Sequence, residues 1–171
     1  WRHPGAFFAP GSGRQYGTLR REFEGHAEGM VFIAENGTYV VRDGEELASD
    51  TLDPALIADV LRRVRGMSHD VGVVLCGKRS AYIERDDDAF RTEAEKYYAL
   101  LEKVSDLEQV DDDILKIAVY DFGDAETGAA PALSEIARTH QVVVSGAHWV
   151  DVMNRGVNKG VALERLQSLR F

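Results

Sequence analysis

A single cysteine, Cys76, stands in 171 residues, so no disulfide can form within the chain. That suits a reducing compartment, and the cytoplasm is the expected location. Cys76 falls in the apolar run Val73-Val74-Leu75-Cys76-Gly77, the setting of a small buried hydrophobe rather than a nucleophile. Positive charge is also short. Lys and Arg number 20 against 29 Asp and Glu, a net charge of −9. Nucleic acid and anionic membranes call for the opposite balance, so neither is expected as a partner. No apolar run approaches the length of a membrane span, and no charged-then-apolar leader opens the chain. The five histidines share no ligand spacing. The acidic triplets Asp86-Asp87-Asp88 and Asp111-Asp112-Asp113 lack the glycine and distant glutamate of a calcium loop. They read as lead-ins to a helix and a strand, and no metal site is expected from the residues present.

What is there is an apolar share of 44%, enough for a core in one domain or one domain with partial flanks. Met30 to Ala34 is an apolar run that ends at Asn36-Gly37, a hairpin signal, with Thr38 to Val41 as the return strand. Asp53-Pro54 starts a helix with Leu56, Ile57, Val60, Leu61 and Val64 on one face. Strands over 71–76 and 80–84 follow, then a helix with Phe90, Ala94, Tyr97, Tyr98 and Leu101 inward. The strand Ile114 to Asp121 is apolar on both faces and so central. Pro131 opens a short helix with Leu133, Ile136 and Ala137 inward, ahead of strands over 141–145 and 148–153. Helix plus hairpin therefore occurs twice around a central strand, which predicts an α/β sheet with helices on one face.

Two segments carry candidate chemistry. In the first, the strand Ala6 to Pro10 runs into Gly11-Ser12-Gly13-Arg14 and an amphipathic helix with Tyr16, Leu19 and Phe23. A hydroxyl and unpaired amides at a strand end suit a phosphoryl group. In the second, a strand meets Arg155-Gly156-Val157-Asn158-Lys159-Gly160 and a helix start. That places a lysine beside a glycine at a helix N-terminus, again an arrangement for phosphate. A solvated surface lysine and an ordinary βα turn are the plain alternatives.

Together, Ser12-Gly13-Arg14-Gln15-Tyr16, Ile33-Ala34-Glu35-Asn36-Gly37 and Gly156-Val157-Asn158-Lys159-Gly160-Val161-Ala162-Leu163 resemble the second motif, the cap-entry turn and the third motif of the haloacid dehalogenase superfamily, in its Cof-type phosphatases with a large cap. The resemblance implies a cap at 51–153 built as an open α/β sandwich, flanked by parts of a Rossmann-like core at 1–50 and 154–171. It implies an Mg²⁺-dependent phosphatase acting on a small phosphate monoester, sugar phosphate-like, through an aspartyl-phosphate. Ser12 and Lys159 take catalytic roles by this resemblance, with Gly13, Arg14, Asn36 and Asn158 in substrate binding. No Asp-x-Asp-x-[Thr/Val] string occurs, so the nucleophile motif is missing, as is the family's last Gly-Asp motif. The chain therefore reads as an internal fragment that alone is inactive and binds Mg²⁺ weakly at best. A non-enzymatic α/β binding module is the other reading.

Several residues carry two readings at this level. Arg14 either reaches phosphate or braces the cap, or else pairs with Glu22 or Glu35. Asn36 either faces the cleft or serves the turn. Asn158 either touches substrate or caps the following helix. Lys78, Arg79, His148 and Trp149 are candidates for the substrate-facing cap loops, against hairpin polarity and core packing.

Overall fold

The computed structural model describes residues 8–168. Ala6 and Phe7 of the expected first strand, and His3, lie outside them. Residues 8–12 run alongside β1 (Val31–Ala34), with a parallel bridge between Gly11 and Ile33. Ser12 N–H donates to the Ile33 carbonyl at 2.9 Å, which fixes the loop at the strand end. Between them, α1 (Tyr16–Glu22) buries Leu19 against Phe32 and Ala34. The Asn-Gly hairpin forms as expected: β1 pairs antiparallel with β2 (Tyr39–Arg42), and β3 (Glu45–Ser49) completes a three-stranded sheet.

The second sheet is larger. Asp53 caps α2 (Pro54–Arg65) by accepting from the Ala55 amide at 2.7 Å, with Pro54 in the first turn. The strands β4 (Val71–Gly77), β5 (Ala81–Ile83), β6 (Leu101–Lys103), β7 (Ile114–Asp121), β8 (Gln141–Val144) and β9 (Trp149–Met153) lie in the order β6-β5-β4-β7-β9-β8. The fully buried β7 is central, and the β4–β5 and β8–β9 hairpins flank it, so the duplicated unit is present.

Helix α2 and the short α4 (Ala129–Ala132) cover one face, packing Leu61, Val64 and Ala129 on Val73, Leu75 and Val119. Helices are not confined to that face. The alternate side chains Val74, Cys76 and Ala118 meet Phe90 and Ala94 of α3 (Asp88–Glu95) on the other. An apolar central strand presents two faces, and α3 takes part of the second.

Two further expectations are corrected. The third helix ends at Glu95, not near Leu101. Leu101 instead opens β6, which pairs in parallel with β5, and Tyr97 is exposed. The Pro131 segment is one α turn from Ala129 followed by a 3-10 turn at Ile136–Arg138, and Ala137 is exposed.

Both crossings between the sheets lie together. Leu52 N–H donates to the Ile114 carbonyl at 2.7 Å, and Asn154 Nδ2 reaches Asp50 Oδ1 at 2.6 Å. Helix α5 (Lys159–Ser168) returns to the smaller sheet, burying Ala162 and Leu166 against Val31 and Ile33. No helix among the described residues is long and apolar enough to cross a membrane.

Candidate active site

The two segments singled out in the sequence meet in space. The Lys159 side chain passes beside Gly11, its Cδ 3.6 Å from where a Cβ at that position would stand, and Gly11 adjoins Ser12. Lys159 is exposed, and its ammonium has no hydrogen bond or ion pair within the described residues. The contact between the loops leaves no spare room. Glu35, Asn36 and Gly37 all have positive φ, and a Cβ on Gly37 would fall 2.6 Å from the Asn158 carbonyl oxygen. Only glycine lets the hairpin turn seat the loop that carries Lys159.

Ser12 and Gly13 open into a cleft of about 290 Å³ between the two sheets. The Ser12 Oγ accepts from the Arg14 amide at 3.2 Å, and the Ser12 carbonyl accepts from the Asn36 amide at 3.1 Å. Gly13 has no room for a side chain, since a Cβ would lie 2.5 Å from Asn36 Oδ1. Asn36 faces the cleft as well as making the turn, and its Nδ2 donates to Asp151 Oδ2 at 3.4 Å. The Arg14 guanidinium meets the Glu22 carboxylate at the surface, and the residue also lines the cleft. Asn158 is the cap of α5, its Oδ1 accepting from the Val161 amide at 2.9 Å.

The opposite wall is a buried charge cluster on the inner face of the large sheet. Lys116 of β7 puts its Nζ 2.9 Å from Glu35 Oε2, 3.8 Å from Asp151 Oδ2 and 3.3 Å from the Gly13 carbonyl. Lys116 and Glu35 are almost fully buried, at 3% and 1% exposure. Burial works against the Lys116 charge, but the Glu35 and Asp151 carboxylates outweigh it and hold its pKa above the ordinary value. Burial raises the Glu35 pKa, with Lys116 pulling the other way and Asp151 adding to the rise. Two carboxylates thus share one ammonium, and Glu35 Oε1 has no hydrogen-bond partner among the described residues. Burial also pushes the Cys76 thiol up, which fits its reading as a hydrophobe.

A clasp holds the rim. Gln15 Nε2 donates to the Leu100 carbonyl at 2.8 Å, and its Oε1 accepts from the Leu100 amide at 2.9 Å. Thr18 Oγ1 donates to the Tyr97 carbonyl at 3.0 Å. Helix α1 thereby grips residues 97–100, and Tyr97, Tyr98 and Trp149 line the cleft beyond Asp151.

Sequence reasoning missed Lys116 and Asp151, and it quoted Glu35 and Gln15 within motifs without the roles seen here. A lone lysine in Ile114-Leu115-Lys116-Ile117 and a lone aspartate in Trp149-Val150-Asp151-Val152 were the available signals. The expected substrate loops fare unevenly. Lys78 is tied to Glu46 and Asp113, and Arg79 pairs with Asp112, so that turn is hairpin polarity away from the cleft. His148 Nδ1 lies 3.0 Å from the Asp121 carbonyl, while Ser145 and Trp149 do line the cleft.

The loop at residues 12–15 and the middle of the large sheet thus face one another across a single cleft. The chain belongs to the haloacid dehalogenase-like hydrolases, whose family pattern it matches over residues 2–170, in their Cof-type branch. It is 32% identical over 167 residues to the 5-amino-6-(5-phospho-D-ribitylamino)uracil phosphatase YbjI of Escherichia coli, covering 96% of this chain and 61% of that protein. A crystal structure from Eubacterium rectale superposes with a TM-score of 0.85 at 23% identity, covering 96% of this chain and 63% of the other. A sugar phosphatase of HAD subclass IIB superposes with a TM-score of 0.70 at 12% identity, covering 97% and 64%. The chain spans about three fifths of the length of these relatives.

Proposed function

We propose that this chain supplies the cap, at 51–153, and the flanking core parts, at 1–50 and 154–171, of a cytoplasmic phosphatase for a small, sugar phosphate-like monoester. The observation that carries this reading is the meeting of Lys159 with Gly11-Ser12 from opposite ends of the chain. Phosphoryl transfer is catalysed mainly by positioning and charge stabilisation. Ser12 donates its hydroxyl to a phosphoryl oxygen, with the Gly13 amide beside it. Lys159 neutralises charge on the phosphoryl group and on the attacking carboxylate. Asn158 sets Lys159 at the helix start by capping α5, leaving the substrate contacts to Gly13, Arg14 and Asn36.

Among the described residues, no three His, Cys, Asp or Glu side chains converge as a metal site. The proposal therefore assigns the Mg²⁺ ligands and the aspartate nucleophile to residues other than these. The part left to this chain is to bind and orient the phosphoryl group and to offset its charge. A non-enzymatic binding module would keep the same cleft without turnover.

The test is a phosphatase assay on a protein carrying this chain within a complete catalytic core. The relative from Escherichia coli is named for a phosphorylated ribityl chain on a uracil ring. That compound and simple sugar phosphates are the first substrates to assay with Mg²⁺. Turnover that depends on Lys159 supports the proposal. A folded protein that binds phosphate esters without hydrolysing them favours the binding module.

A further inference from the structure

Beyond the charged cluster, the cleft ends in aromatic rings that the phosphatase reading does not use. Trp149 and Asp151 lie two residues apart on β9 and point to the same face, so Trp149 stands roughly 7 Å further along the strand. Its ring meets Tyr97 at 5.7 Å between centroids with an interplanar angle of 78°. Two perpendicular rings make a corner. A flat ring stacked on one wall presents its edge to the other, the two arrangements aromatic groups favour. Tyr120, 4.9 Å behind Trp149, backs the corner. Tyr97 is 46% exposed and lines the cleft, with its carbonyl accepting from Thr18 Oγ1.

Contacts lead in order from the Ser12-Gly13 loop to this corner: Gly13 against Asn36, Asn36 to Asp151, Asp151 to Trp149 along the strand. A ligand following that path has a phosphate at one end, hydrogen-bonding groups in the middle and a flat ring at the other. We propose that the Tyr97–Trp149 corner is a ring-recognition subsite that selects phosphate monoesters bearing a planar heterocycle on a hydroxylated linker over ringless sugar phosphates. The inference rests on the phosphate-binding reading of Ser12 and Lys159.

A matched pair of probes separates the two. Uridine 5′-monophosphate and ribose 5-phosphate share the phosphate and the sugar and differ in the ring. Both are titrated calorimetrically into the chain and into Tyr97→Ala, whose melting temperature confirms that the exposed substitution leaves it folded. The nucleotide is expected to bind about tenfold more tightly or better, the range of one base–aromatic stack. Tyr97→Ala is expected to erase most of that difference while leaving ribose 5-phosphate affinity unchanged. Equal affinity for the two probes, or an equal loss for both in Tyr97→Ala, overturns the subsite. Binding of neither removes the phosphate reading, and the subsite falls with it.

Discussion

One wall of the cleft is the loop at residues 12–15, with the α5 terminus beside it at Gly11; the wall facing it is the middle of a sheet. Residues 11–14 and Lys159 offer backbone amides, a hydroxyl and an exposed ammonium. Lys116 and Asp151 sit on buried strands and answer Glu35, which the hairpin turn holds with φ of 46°. Beside the first wall, Lys159 is exposed, with no ion pair among the described residues. The second has its cation engaged by two carboxylates and a carbonyl. On the proposed function, the chemistry falls to the wall whose charge is available. The paired wall ties the two sheets together and lines the cleft.

The largest effect expected from that contrast is on stability at the paired wall. Lys116→Ala leaves Glu35 and Asp151 buried without their cation, and loss of one partner from a buried pair costs about 3–5 kcal/mol. Urea unfolding reads this, and a change under about 1 kcal/mol would show that the cluster is hydrated and holds little together. At the open wall the effect moves to rate. In a protein with the complete catalytic core, Lys159→Ala should lower kcat by about 10²–10³ with stability unchanged, the loss typical of one preorganised charge-stabilising group. Lys159→Arg should also be poor, because a planar fork does not replace a compact ammonium.

Gln15→Ala removes both hydrogen bonds that clasp Leu100 and should cost about 1–3 kcal/mol. Faster amide exchange at Leu100, with the small sheet unaffected, is the accompanying signature.

Smaller still is a pH effect at Glu35. Its folded pKa is raised above the ordinary 4.5, so the folded state holds that proton more tightly than the unfolded one. The stability this contributes is fully present below about pH 4.5 and is lost as pH rises through the folded value. Glu35→Gln mimics the protonated form. Its stability relative to the wild type should therefore improve with rising pH across that window, measured by paired melts. A constant offset would show that Glu35 titrates normally. Least of all should happen at Cys76, which is 1% exposed with its thiol pKa raised by burial. Iodoacetamide should not label it in the native chain and should label it in denaturant.

The open wall is legible in the sequence because it is local. Ser12-Gly13 and Asn158-Lys159-Gly160 each place their functional groups within a few residues, so the motif is visible in one stretch of sequence. The Asn-Gly hairpin, the cap of α2 and the repeated helix–hairpin unit are legible for the same reason, since turn residues and periodicity are local signals. The paired wall is not. Glu35, Lys116 and Asp151 come from three strands or turns far apart in sequence, and only sheet register makes them neighbours. Within β7, the apolar run on both sides of Lys116 sets the strand's class and hides the exception. The end of α3 escapes the sequence because Tyr97, Tyr98 and Leu101 keep helical spacing. The Gln15 clasp and the pairing of β6 with β5 are tertiary, and they override it.

The central claim is that Ser12-Gly13 and Lys159 form one phosphate cradle. Titration of inorganic phosphate into the ¹⁵N-labelled chain tests it directly. The amide signals of Gly13 and Gly160 should move along a single saturation curve, and Lys159→Ala should abolish both movements. Signals that stay still, or that follow unrelated curves, would contradict the account.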